Sequence, residues 1–432
     1  MKLDPKSNIA IIGAGSSGIA AAKNLMQRGF QNITLLEQSD RLGGNWIYSE
    51  EVKHASVYET THIITSKRHS AYLDFPMPES YPDYPSHWLM AEYFEAYANH
   101  FHIKEKIRFN TTVTHVNRMA DGRWEITSVK NDETSRTTYD ALIVSSGHHW
   151  NPRFPTYAGK FEGEFLHSHA FKNNRPFAGK KVLIVGAGNS GCDAAVEVCR
   201  VAKSTAISMR RGYHFIPKFV FGEPADVIAN RFQWVPDALL DLVYRIVLRL
   251  ENGDITRFGL QKPDHRVRQS HPVSNSELLY YVRHGKISPK VDIDHFEGKT
   301  VYFKDGSNEA FDVIIAATGF KITLPFFDKS LIDFEDKEVN LYKRFLHPEY
   351  HNLAFIGLIQ ASGCFWKLAD YQSKLLAAIF SGSFSLPNDL QADVAKDVAH
   401  INQHFTKSKR HLIEVDYFKY SNELIGLIAK AG

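Results

Sequence analysis

Two short aliphatic runs, 8–12 (NIAII) and 181–185 (KVLIV), each stop at a glycine and pass into a stretch whose apolar residues recur at helical spacing. The first opens Gly13-Ala14-Gly15-Ser16-Ser17-Gly18 and predicts a helix over 17–28. The second opens Gly186-Ala187-Gly188-Asn189-Ser190-Gly191 and predicts a helix over 190–202. A further aliphatic run comes after each, at 32–36 and 204–209. Strands that are apolar throughout, rather than alternating, are those buried on both faces of a parallel sheet. The strand–helix–strand order therefore predicts a parallel sheet in both places.

Elsewhere the pattern predicts a helix over 87–103, strands in KIRFNTTVTHVNRM and RWEITSV, and a buried strand closing in small residues, YDALIVSSG (139–147). FDVIIAATGF (311–320) repeats that last pattern. Residues 148–160 are rich in proline and aromatics, have no period, and read as a linker. Residues 213–270 read as an irregular insertion with one clear helix, 366–382 as a helix, and the tail as helical. The predicted class is α/β, with two nested Rossmann-like dinucleotide-binding domains, the second inserted in the first. The expected boundaries are 1–165, 166–290 (with the insertion 213–270) and 291–432.

Bulk properties narrow this little. A chain of 432 residues with 44% hydrophobic and 23% charged residues is that of a soluble globular protein of two or three domains. The net charge of +3, without a basic run, gives no case for nucleic acid. Cys192, Cys199 and Cys364 form no C-x-x-C pair, so neither a redox dithiol nor a zinc ribbon is indicated, and a reducing compartment fits. The N-terminal residues run straight into the first strand and leave no room for a signal peptide. The most apolar helix, DALLDLVYRIVLRL (237–250), is broken by Asp241, Arg245 and Arg249 and is too short for a bilayer. It reads as an amphipathic helix over a core. The expectation is a cytoplasmic protein without a membrane partner.

The glycines carry the chemistry. The first of each set permits a tight turn, the second lets the backbone approach a pyrophosphate, and the third lets helix and strand pack closely. The helix N-terminus then offers free N–H groups and partial positive charge to the phosphates. The residues closing the two second strands differ. Glu37, about twenty residues past Gly18, can accept hydrogen bonds from ribose hydroxyls and would repel a 2′-phosphate. Arg210 and Arg211, equally placed after Gly191, suit a phosphate monoester. The first site is therefore expected to hold FAD and the second NADPH. A nicotinamide donates hydride, and a flavin passes electrons to a disulfide or to oxygen. Without a cysteine pair, oxygen remains.

FEGEFLHSHAF (161–171) resembles F-x-G-x-x-x-H-x-x-x-(Y/F), a motif of the flavin-containing monooxygenases, with Phe161, Gly163, His167 and Phe171 in its fixed positions. LMAEYFEAYANHF, SSGHHWNPRFP, HPVSNSEL, AATGF and IGLIQASGCFWKLADYQ resemble further stretches of that family in the same order. The resemblance implies that Gly13, Gly15, Ser16, Ser17, Gly18, Glu37 and Gln38 hold the FAD pyrophosphate and ribose. It implies that Asn45 and Trp46 line the flavin, that Val113 meets the adenine end through its backbone, and that Gln372 lies in a helix closing over the flavin. Gly186, Gly188, Asn189, Ser190, Gly191, Ser208, Arg210 and Arg211 would hold NADPH. Thr318 would sit where the chain recrosses between domains, and His167 would orient the linkers.

Members of the family carry an asparagine beside the flavin, in a segment matching VYETTHIITSKRHSAYLDFP (57–76). Ungapped alignment puts Ile64 there, leaving Thr65, Ser66 or His62 to supply the missing hydrogen bond. The implied reaction is oxygenation of an amine nitrogen or sulfide sulfur by a flavin C4a-hydroperoxide, with NADPH and O2 consumed. Two alternatives stay open: Baeyer-Villiger oxidation, disfavoured by Phe171-Lys172, and an oxidase releasing H2O2, favoured by Ile64. The chain stops short of the membrane-anchored tail of the animal enzymes, so a soluble, bacterial-like form is expected. A homodimer is left open.

Overall fold

The computed structural model describes residues 2–270, 272–404 and 412–431. Along the chain, ten strands and three helices frame the candidate site: β1 (Ile9–Ile12), α1 (Ser16–Gln27), β2 (Ile33–Leu36), β3 (Ile107–Arg108), β4 (Ala141–Val144), β5 (Glu164–His167), β6 (Lys181–Val185), α2 (Asn189–Val198), β7 (Ser204–Ser208), β8 (Ile287–Lys290), β9 (Val313–Ala316), β10 (Leu353–Phe355) and α3 (Phe365–Ser381). They belong to two compact units. One comprises Met1–Ile47, Lys67–Asn151 and Lys321–Gly432; the other comprises Tyr48–Ser66 and Pro152–Phe320.

In the first unit the strands pair in the order β10-β4-β1-β2-β3, all parallel. All four residues of β1 are buried, as a central strand covered on both faces requires. α3 packs along α1. Lys23 of α1, almost wholly buried, donates to Asp370 of α3 at 3.0 Å and to Asp74 at 2.7 Å, and Asn24 donates to Asp370 at 2.7 Å. A buried ammonium is stable only with such partners. An antiparallel sheet of Thr112–Arg118, Trp124–Lys130 and Glu133–Tyr139 completes the unit.

In the second unit the order is β8-β7-β6-β9-β5, again all parallel. The period of two along β6 explains its two cores. Val182 and Ile184 pack on Ala194, Ala195 and Val198 of α2. Leu183 and Val185 pack on Phe296, Val301, Phe303 and Phe311 of an antiparallel sheet on the other face.

The observed division departs from the expected boundaries. Strand Ala158–Phe161 pairs with Ile293–Gly298, and β5 pairs with β9, so residues on both sides of the expected cuts fold with the second unit. Residues 48–66 join it too, a placement the sequence reading did not foresee. The insertion holds two helices, Ala225–Arg231 and Asp237–Asn252. On the longer one Leu239, Leu242, Val243, Ile246 and Leu250 form an exposed stripe, so the expectation that its apolar residues cover a core fails for that face. Among the described residues no helix is long and apolar enough to cross a membrane.

Candidate active site

At the first turn Gly13 adopts φ +99°, and a Cβ there would lie 2.6 Å from the carbonyl oxygen of Ser145. A Cβ on Gly18 would lie 2.0 Å from the carbonyl oxygen of Gly13. Neither backbone contact can relax cheaply, so both positions demand glycine. Gly15 caps α1 in an extended conformation, φ −74° and ψ −176°, with no side-chain hydrogen bond to the cap and no acidic residue in the first turn. Ser16 and Ser17 are buried. A buried helix N-terminus without a cap is an anion site, so these residues fit a pyrophosphate.

Glu37 is 6% exposed. Its carboxylate accepts the Ala14 N–H at 2.8 Å and the Ser39 N–H at 2.8 Å. A carboxylate has about four acceptor positions, so Glu37 braces the glycine turn and keeps capacity for hydroxyl donors. Gln38 is exposed. Val113 lies near Glu37 in the chain's fold: Thr111 N–H bonds the Glu37 carbonyl at 2.8 Å, and Val113 itself sits on an edge strand. Asn45 and Trp46 occupy the turn Gly44–Trp46, with the Trp46 ring edge-on to Trp366 at 5.6 Å. Gln372 is fully buried, accepts the Gly357 N–H at 2.9 Å and donates to Tyr420 at 2.8 Å. Its amide is largely committed to joining α3 to its neighbours.

The second turn repeats the backbone. Gly186 has φ +101°, a Cβ on it would meet the Ala317 carbonyl oxygen at 2.6 Å, and one on Gly191 would meet the Gly186 oxygen at 1.9 Å. Gly188 caps α2 at φ −74° and ψ −179°, without a side-chain hydrogen bond or a first-turn acid. Ser190 is exposed, while the Asn189 side-chain oxygen accepts the Ser274 N–H at 2.8 Å. Ser208 is buried and its hydroxyl donates to the Val291 carbonyl at 2.7 Å. Arg210 is exposed. Arg211 donates to Ser270 at 3.2 Å and stands 5.8 Å over the Tyr213 ring.

Thr318 and Gly319 are knitted to the segment read from the sequence as a linker. Thr318 donates to the Arg153 carbonyl at 2.5 Å, and Arg153 N–H bonds the Gly319 carbonyl at 3.0 Å. His167 Nε2 reaches the same Gly319 carbonyl at 3.0 Å. Burial pushes the His167 imidazole down to about 4, so it is neutral and Nε2 donates. The motif also explains itself locally. A Cβ at Gly163 would strike the Phe161 ring and the Asp312 carbonyl, both at 2.6 Å.

His62, Thr65 and Ser66 lie in the second unit, with the residues of the second turn. His62 is exposed, its Nδ1 2.7 Å from the Thr60 carbonyl, and Ile64 is 37% exposed. Ser66 is fully buried; its N–H bonds Asp226 at 2.7 Å, but its hydroxyl has no partner. Sequence reasoning missed the contacts that hold this segment. Tyr58 donates to Asp193 of α2 at 2.9 Å, Asn275 donates to the other Asp193 oxygen at 2.6 Å, and the Lys172 ammonium donates to the Ala55 carbonyl at 2.6 Å. Burial pushes Asp193 above the usual carboxylate range and Lys172 down to about 8. Asn275 also accepts the N–H groups of Glu277 and Leu278, an N-cap pattern readable in HPVSNSEL. That stretch begins with His271, which lies outside the described residues.

Residues 6–431 match the family described as flavin-binding monooxygenase-like. Flavin-containing monooxygenase 5 of Homo sapiens is 34% identical over 98% of this chain and 83% of its own length. The N-oxide-forming dimethylaniline monooxygenase 2 of Rattus norvegicus is 32% identical over 96% of this chain and 81% of its own length. In fold, the chain is similar to the S-allyl-L-cysteine S-oxygenase of Allium sativum, with a TM-score of 0.75 at 22% identity over 99% of this chain and 90% of that one. It is similar also to an NADP+-bound cyclohexanone monooxygenase of Rhodococcus sp. Phi1, with a TM-score of 0.72 at 15% identity over 100% of this chain and 98% of that one. With its two uncapped glycine turns, the chain belongs to the flavin-binding monooxygenase family and is an FAD- and NADPH-dependent oxidoreductase.

Proposed function

We propose that the enzyme oxygenates a soft nucleophile, an amine nitrogen or a sulfide sulfur, with O2 and NADPH. The observation that carries this is the pair of matched helix N-termini, both uncapped and free of acids, followed by a buried carboxylate in one unit and arginines in the other. Bound FAD supplies the oxygen chemistry once NADPH has reduced it. The protein's part is binding, orientation and exclusion of water.

In this reading Gly13 to Gly18 hold the FAD pyrophosphate on the α1 N–H groups, and Glu37 takes the ribose hydroxyls with its spare acceptor positions. Trp46, fixed against Trp366, lines the flavin. Gly186 to Gly191 hold the NADPH pyrophosphate, and Arg210 and Arg211 take the 2′-phosphate. Ser66, whose buried hydroxyl has no other partner, supplies the hydrogen bond that Ile64 cannot. No side chain has to act as nucleophile. The relatives named for N-oxide formation and S-oxygenation support this substrate class. The unpaired cysteines favour a cytoplasmic setting. A homodimer fits the exposed stripe of Asp237–Asn252, and light scattering decides it.

Purified protein is expected to be yellow and to release FAD, not FMN, on heat precipitation. Turned over with trimethylamine and with a thioether, it should place close to one oxygen atom in product per NADPH. Colourless protein that FAD cannot restore sinks the reading. A second reading, an NADPH oxidase, rests on Ile64. It is the correct one if nearly all electrons emerge as H2O2 with both substrates present.

A further inference from the structure

Three basic residues at equal spacing, His169, Lys172 and Arg175, follow β5, and each takes hold of the segment 48–66. His169 Nε2 donates to the Lys53 carbonyl at 2.8 Å. Lys172 Nζ donates to the Ala55 carbonyl at 2.6 Å and to the Val57 carbonyl at 3.4 Å, and the Lys172 carbonyl accepts the Glu59 N–H at 2.8 Å. Arg175 pairs with Glu59 at 2.8 Å and with Glu50 at 2.7 Å. Between them Phe171, 1% exposed, packs its ring on Tyr58 at 5.4 Å between centroids.

These holds differ in kind. Arg175 and its partners are exposed, and ion pairs in solvent contribute little. Lys172 is 5% exposed, and among the described residues its ammonium meets two carbonyls and no carboxylate. A buried ammonium with only neutral partners is costly, and burial lowers it to about 8. The titratable groups around it are His169, pushed down by burial and by the Lys172 charge, with His54 beyond it, and Tyr58 and Asp193, which bond each other. Two alternate carbonyls and one N–H of the segment all end on Lys172, so this residue does for 55–59 what a neighbouring strand would do. The chain is fixed again at Ser66, whose N–H bonds Asp226 at 2.7 Å. His62, Ile64 and Thr65 are carried between these two anchors.

We infer that Lys172 is a positioning residue for oxygen transfer, setting through residues 55–59 where Ser66 and its neighbours stand. The inference rests on the reading that Ser66 serves a bound cofactor. With the anchor weakened, NADPH is still oxidised, and more of the oxygen it reduces leaves as H2O2.

The experiment measures H2O2 and oxygenated product per NADPH, with a saturating thioether, in wild type, Lys172→Met, Ser66→Ala and the double variant. FAD content and circular dichroism report folding. A charge-assisted hydrogen bond is about twice as strong as a neutral one, so loss of the ammonium should raise H2O2 per NADPH roughly fivefold. Wild type should therefore release more H2O2 at about pH 9 than at about pH 7, because Lys172 gives up its proton through about 8. Lys172→Met should start high and lack that part of the rise. In the double variant Lys172→Met should add little to Ser66→Ala, since one acts through the other. Arg175→Ala, which loses only exposed ion pairs, should stay near wild type. A folded Lys172→Met that couples like wild type at both pH values overturns the proposal, as does an effect that adds in full to that of Ser66→Ala. Should Lys172→Met not fold, a wild type with the same H2O2 yield at both pH values overturns it. Ser66→Ala coupling like wild type overturns instead the reading of Ser66, whatever Lys172→Met does. A wild type that puts no oxygen into amine or thioether overturns the proposed function before any variant is made.

Discussion

The two glycine turns are nearly identical in what they forbid and differ in the charge of the residues that close the following strand. In each, a side chain on the first glycine would strike a carbonyl beyond the neighbouring strand at 2.6 Å, and one on the third would enter the first glycine's own carbonyl, at 2.0 Å and 1.9 Å. Both caps stand at φ −74°. The pyrophosphate cradle is thus a backbone property, fixed by three glycines and copied without change. The turns differ at the end of the second strand, where one unit buries Glu37 against its own turn and the other exposes Arg210. The common feature is held by main chain, and we propose that one or two side chains tell the cofactors apart.

The strongest way to break this comparison is to place a methyl group on each third glycine. Gly18→Ala and Gly191→Ala demand the same backbone shift. Overpacking of this kind costs about 1–3 kcal/mol, or roughly 5- to 150-fold in affinity. Gly18→Ala should lose FAD and its yellow colour. Gly191→Ala should keep FAD and raise the KM for NADPH by that factor. Difference spectra and steady-state kinetics read the two outcomes. Loss of FAD from both variants would mean the turns do not serve separate cofactors.

Much of this was legible in the sequence because the decisive features are local. Glycine spacing, aliphatic strands and the residue closing each second strand lie within some thirty positions of one another. The long-range features were not. Nothing in residues 48–66 announces that Tyr58 bonds Asp193 or that Lys172 takes the Ala55 carbonyl. These are pairings of single polar residues across a hundred positions, and they carry no period. The boundaries failed for the same reason, since strand Ala158–Phe161 finds its partner at Ile293–Gly298. Gln372 and Ser208 show a third limit. Each was expected at a cofactor, yet each spends its side chain on internal hydrogen bonds.

The arginines sharpen the comparison at its point of difference. A charge-assisted contact to phosphate contributes about 1.5–3 kcal/mol, so Arg210→Ala should lower kcat/KM for NADPH roughly 10- to 100-fold and leave NADH nearly unchanged. Arg211→Ala should do the same and also lower thermal stability, since it loses Ser270 and Tyr213 as well. An unaltered NADPH/NADH ratio in both would reduce the arginines to a solvated strand end.

The units also differ at the strand end that abuts each turn. The second unit pins the Gly319 carbonyl with His167, 2% exposed, whereas in the first the Gly147 carbonyl meets the Trp150 indole at 3.3 Å, a group that does not titrate. His167 is held at about 4 by burial, with His169 adding to the shift and the Gly319 bond opposing it. Between pH 6.5 and about 4 the unfolded chain binds a proton that the native chain refuses, so stability rises with pH across that window and is lost as pH falls through it. The loss from His167 alone reaches about 3 kcal/mol near pH 4. His167→Gln keeps a donor for Gly319 without the titration, and its urea midpoint should fall less than that of wild type on acidification from neutral pH toward about 4. An equal fall in wild type and variant would remove His167 from the acid response.

The smallest effect expected is the one that bears on oxygen transfer. Ser66 and Thr65 stand beside Ile64 in the second unit, and one or the other is expected to replace the family's amide. The structure separates them: the Ser66 hydroxyl is fully buried and unpartnered, while Thr65 is only half-buried. Of the two, Ser66 is the one we propose as donor to a bound cofactor, with its backbone N–H fixed by Asp226. A single neutral hydrogen bond contributes about 0.5–1.5 kcal/mol net. Ser66→Ala should leave the rate of NADPH oxidation close to wild type and raise H2O2 released per NADPH by up to about tenfold. Thr65→Val should raise it less. The measurement is peroxide against oxygenated product in the same turnover mixture, with a saturating thioether. If Ser66→Ala couples as well as wild type, the buried hydroxyl plays no part in oxygen transfer, and apolar residues alone keep the site dry.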